Sequence, residues 1–78
     1  MPYNYYLAAK RIAKQIDAFG HHDTSKEIVN AIDEGFSSTE ILMKIRFIFN
    51  NFIKKTDISL DVQKKIVSLI NKIDVALN

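Results

Sequence analysis

Three observations predict an all-α fold, a compact four-helix bundle. Apolar residues recur every three to four positions, hydroxyl caps precede the apolar runs, and both glycines of the chain fall at their ends. A length of 78 residues allows one domain, 1–78. Isoleucine favours strands, and the chain has 12 of them, but their helical spacing argues for helices.

The first helix is expected from about Asn4 to Phe19. Tyr5, Ala8, Ala9, Ile12, Ala13 and Ile16 form one stripe, with Lys10, Arg11, Lys14 and Asp17 off it. Gly20 suits the left-handed backbone that commonly follows a helix. The second helix is expected from about Ser25 to Glu34. Thr24 and Glu27 have the spacing of a capping box, in which a hydroxyl takes an orphan N–H and the carboxylate reaches back. Ile28, Ala31 and Ile32 form its apolar edge, and Gly35 ends it.

Ser37 and Glu40 repeat the capping-box spacing, and a third helix is expected from there to about Lys55. Ile41, Leu42, Ile45, Ile48, Phe49 and Phe52 make a broad face. Met43 and Phe47 make a second ridge, so this helix is expected at the centre of the bundle, packed on more than one side. The fourth helix is expected from about Leu60 to Leu77. Ser59 is its cap, Asp61 complements the helix dipole, and Val62, Ile66, Leu69, Ile70, Ile73 and Leu77 are its stripe. Connections of a few residues make consecutive helices neighbours.

Composition narrows the chemistry. Cysteine is absent, which excludes disulfides, thiolate metal sites and a cysteine nucleophile. Apolar runs of three to five residues rule out a transmembrane span. Lys10 and Arg11 follow the first apolar stretch rather than precede it, unlike a secretory signal, so a cytoplasmic protein is expected. His21-His22-Asp23 is the one cluster with ligand chemistry, and adjacent histidines in a loop converge poorly on one ion without a third ligand. Neither a metal nor a cofactor is expected. Ser37-Ser38 lacks the Asp-Ser-Leu context of a carrier-protein serine. A bundle this small leaves little room for a substrate pocket, so a binding protein is expected rather than an enzyme.

Charge is segregated beneath a net +2. Residues 1–16 hold Lys10, Arg11 and Lys14 with no acid. Residues 17–40 hold six acids against Lys26 alone. Residues 41–78 hold seven basic and three acidic residues. Acids at helix N-termini, such as Glu27 and Glu40, answer the dipole. Asp33 and Glu34 oppose it at a C-terminus; either they only solvate an exposed face, or they serve a cationic partner. Asp23, Asp33 and Glu34, with Phe36 as an apolar neighbour, are therefore the candidate partner-binding residues. The lysines of the last two helices (Lys54, Lys55, Lys64, Lys65, Lys72) suggest a second reading, a small nucleic-acid-binding regulator. Against it, a recognition helix must offer polar residues to base edges, and the third helix is too apolar. Tyr3, Tyr5 and Tyr6 are either an exposed aromatic anchor or a cover over the core.

The segment AIDEGFSSTEILMKIR, residues 31–46, resembles part of the small helical immunity proteins found with bacterial toxin loci, in contact-dependent growth inhibition and bacteriocin systems. The resemblance implies a four-helix bundle that binds a cognate toxin domain and occludes its active site or substrate groove. It carries over no contact residue, because such proteins meet their toxins through diverse surfaces. Many nuclease-neutralising immunity proteins are strongly acidic overall and this chain is not, so its acidic middle would supply the complementarity for a basic toxin locally.

Overall fold

The structure, a computed structural model, describes residues 3–78 and contains four helices: α1 (Tyr5–Ala18), α2 (His22–Glu34), α3 (Ser38–Lys55) and α4 (Leu60–Leu77). Each packs against the next, and α4 closes on α1, so the four form a ring around one core. The radius of gyration is 11.6 Å, against about 11.5 Å for a folded chain of this length. The core is aliphatic with two aromatic fillers. Ile12, Ile16, Ile28, Ile45, Ile66, Leu69 and Ile73 interdigitate around Phe49 and Phe52. No described helix is long and apolar enough to cross a membrane.

Local chemistry accounts for most boundaries. Asn4 accepts the Leu7 N–H at 3.0 Å and starts α1. Gly20, at φ +95°, closes α1 in the left-handed region, and no other described residue has a positive φ. Ser37 Oγ accepts the Glu40 N–H at 3.2 Å, and Ser59 Oγ caps α4 through the Val62 N–H. Removing the Ser37 hydroxyl orphans a helix N–H. Ser37→Ala is expected to cost about 1 kcal/mol, read as a shift of the urea midpoint at unchanged slope. An unshifted midpoint would show that water serves the N–H equally well.

Two expectations are corrected. The helix α2 begins at His22, three residues before Ser25, and its N-cap His21 makes no side-chain cap bond. Thr24 lies inside the first turn, so there is no Thr24–Glu27 box. Contacts with neighbouring elements fix the earlier start: the His21 ring meets Phe52 edge-on at 5.1 Å and His22 Nδ1 bonds the Asp17 carboxylate, so the His21 carbonyl accepts the first helical bond, from the Ser25 N–H at 3.1 Å. Nor is α3 central. It has two main neighbours, α2 and α4, as every helix of the ring does. Its Met43–Phe47 ridge faces outward, with Met43 50% and Phe47 68% exposed.

Candidate interaction surface

The α2 helix carries the acidic surface. Asp23, Glu27, Asn30 and Glu34 follow at steps of four, three and four residues, which places them along one side of a helix. All four are exposed. They span about 16 Å at 1.5 Å per residue. Among the described residues, Asp23, Glu27 and Glu34 make no ion pair. Asp23 lies in the first turn, where the dipole favours it. Glu34 ends the helix against the dipole with no intramolecular cation to offset the cost.

Asp33 differs from its neighbour. Its carboxylate meets the Lys10 ammonium of α1 at 3.1 Å, both half-exposed. The fold thus supplies Asp33 with a partner, and its place at a helix C-terminus needs no external cation. The pair is a surface one, worth no more than about 1 kcal/mol, so Asp33 can exchange Lys10 for another cation at small cost. Asp33 lies on the α1 edge of α2, beside the Asp23–Glu34 stripe rather than within it.

Phe36 stands at the end of the stripe, two residues beyond Glu34, and is 95% exposed. It occupies the position before the Ser37 cap, from which an apolar side chain commonly packs on the fifth residue after it. That residue is Ile41, which is buried while Phe36 stays out in solvent. The fold makes almost no use of this ring. Of the four predicted residues, Glu34 and Phe36 adjoin at one end of α2, Asp23 is at the other end, and Asp33 is tied to α1. Glu27, expected from the sequence as a capping residue, lies on this exposed side instead. Its spacing, four after Asp23 and seven before Glu34, is the signal that could have placed it there.

The basic side chains gather elsewhere. Tyr3, Arg11, Gln15, Asp61, Lys64 and Lys65 line a shallow groove between α1 and α4. Lys65 reaches Asp61 at 3.3 Å and Gln15 at 3.4 Å. Lys72 donates to Ser68 at 3.2 Å and sits 4.8 Å above the Tyr3 ring. Partial burial, and then Tyr5 beside it, push the Tyr3 phenol's pKa up from the usual tyrosine value. Tyr5 and Tyr6 pack against the core, and Tyr6 donates to Ser38 Oγ at 2.9 Å. These two cover the core; Tyr3 stays more exposed beneath Lys72. The histidines are engaged in the α1–α2 junction already described. No group of three or more His, Asp or Glu positioned for a metal occurs among the described residues.

Comparison with protein-family models, with curated proteins and with solved structures gives no match for this chain.

Proposed function

We propose that the chain is an immunity protein, which binds a cognate bacterial toxin domain in the cytoplasm and blocks its active site or substrate groove. The observation that carries this reading is the row on α2 of three carboxylates that make no ion pair, with a phenylalanine just beyond its end that the fold leaves in water. Fixed charge of one sign speeds encounter with an oppositely charged surface and selects against others. A desolvated aromatic next to it supplies the holding energy typical of an interface hot spot. The likeness of residues 31–46 to immunity proteins supplies the class of partner. The basic groove favours the nucleic-acid reading less, since Lys65 and Lys72 are engaged within the chain and Asp61 lies among them.

The test begins with the gene immediately upstream, expected to encode a large secreted protein, whose C-terminal domain is then co-expressed with this chain. Wild-type chain is expected to preserve host growth and to form a stable complex. Glu27→Lys with Glu34→Lys is expected to slow association by about tenfold or more at low salt and to remove protection. Phe36→Ser is expected to speed dissociation. Unchanged protection by the charge-reversed protein would refute the surface, and absence of such an upstream gene would refute the class. The same protein titrated onto duplex DNA and RNA across a salt series is expected to bind neither. Salt-sensitive binding there would favour the regulator.

A further inference from the structure

The outward side of α3 carries a second pattern, separate from the acidic stripe. Glu40, Met43, Phe47, Asn50 and Lys54 recur at steps of three, four, three and four residues, the spacing of a seam between paired helices. The seam lies opposite the buried face of Ile41, Ile45, Phe49 and Phe52. Its middle is apolar and uncovered: Met43 and Phe47 are among the large hydrophobic residues left exposed. Its ends carry opposite charge.

The two charged ends are symmetric about Phe47. Glu40 precedes it by seven residues and Lys54 follows it by seven, about 10 Å to either side along the axis. A copy of α3 laid antiparallel across a two-fold axis at Phe47 therefore sets Glu40 opposite Lys54 of the second copy, and Lys54 opposite its Glu40. Phe47 meets Phe47, and Met43, four residues before it, falls opposite Asn51 of the second copy. A parallel pairing would instead oppose like charges at both ends. The intrahelical Glu40–Lys44 contact, at 3.5 Å and half-exposed, is a surface pair that gives way readily. We propose that the chain forms a two-fold dimer through this face, α3 antiparallel to α3, with Phe47 on the axis and Glu40–Lys54 pairs closing both ends. One helix face on each side makes a small interface, so the dimer is expected to dissociate on dilution.

Sedimentation equilibrium of the full chain from about 10 µM to 1 mM spans the affinities such an interface gives. Wild type is expected to shift from the 9.0 kDa monomer to a dimer across that range. Phe47→Asp is expected to weaken association at least tenfold. Circular dichroism checks that this variant is folded, and Met43→Lys replaces it if it is not. Glu40→Lys and Lys54→Glu each turn two attractive pairs into repulsive ones, a weakening of about three- to tenfold, and the double swap restores wild-type association. A monomer at every concentration would overturn the proposal. So would a dimer indifferent to Phe47 and Met43, or a double swap as weak as the single ones. The Asp23–Glu34 stripe is not part of this seam, so failure here leaves the partner reading untouched.

Discussion

Phe49→Ala is expected to remove most of the stability of the fold. Phe49 is 0% exposed and is the largest of the fully buried side chains. Its ring sits within the core cluster to which α1, α2 and α4 contribute. Truncating a buried phenylalanine loses the transfer energy of the ring and leaves a cavity, about 3–5 kcal/mol together. A small domain holds about 5 kcal/mol in total. At about 4–8 °C per kcal/mol for a domain of this size, the melting midpoint falls by about 12–40 °C. Phe47→Ala is the matched control. It removes the same atoms two residues away on the same helix, at a site 68% exposed, and is expected to stay within about 0.5 kcal/mol of wild type. Thermal melts at a concentration low enough to keep the chain monomeric compare the two. Equal losses would mean that α3 is rotated from the orientation described.

The second large effect is at Gly35. This residue ends α2 with φ −73° and ψ 147°, a backbone open to any amino acid, so conformational freedom does not explain it. Space does. A Cβ there would lie 2.8 Å from the carbonyl oxygen of Ala31 and 2.9 Å from Cδ1 of Ile41. Ile41 belongs to the packed core, and the carbonyl is helix backbone, so neither gives way easily. Gly35→Ala is expected to cost about 1–3 kcal/mol through overpacking. Gly20 presents the opposite case, since its Cβ would meet nothing within 4 Å while its φ is +95°. Asparagine separates the two causes because it tolerates the left-handed region. Gly20→Asn is expected to cost less than Gly20→Ala, whereas Gly35→Asn is expected to cost at least as much as Gly35→Ala. Urea unfolding of the four variants decides it. Near-wild-type stability of Gly35→Asn would refute the crowding.

The legible parts of this fold are the local ones. Ser37 and Ser59 could be read as caps because each acts on an N–H three residues ahead, and Gly20 as a stop because the strain it avoids is its own. Thr24 misled because the contacts that start α2 earlier, His21 on Phe52 and His22 on Asp17, involve residues that sequence proximity alone does not join to a cap. Met43 and Phe47 misled in another way. Apolar spacing shows that a helix has two apolar sides but not whether a neighbour covers the second. The acidic middle was legible as composition. That Asp33 is held by Lys10, 23 residues away, while Glu34 is not, depends on which edge of α2 faces α1. The Arg46–Asp74 contact between α3 and α4, at 2.8 Å, was equally out of reach.

The placement of the three tyrosines has an optical consequence. The chain has no tryptophan, and Tyr3, Tyr5 and Tyr6 all lie at the start of α1, against Lys72 of α4 and Ser38 of α3. Intrinsic emission therefore watches a single corner of the molecule, where α1 docks, whereas ellipticity at 222 nm watches all four helices. If that corner frays before the rest melts, the two signals will part company on heating, and a fluorescence midpoint alone would understate how firmly the remaining helices hold together.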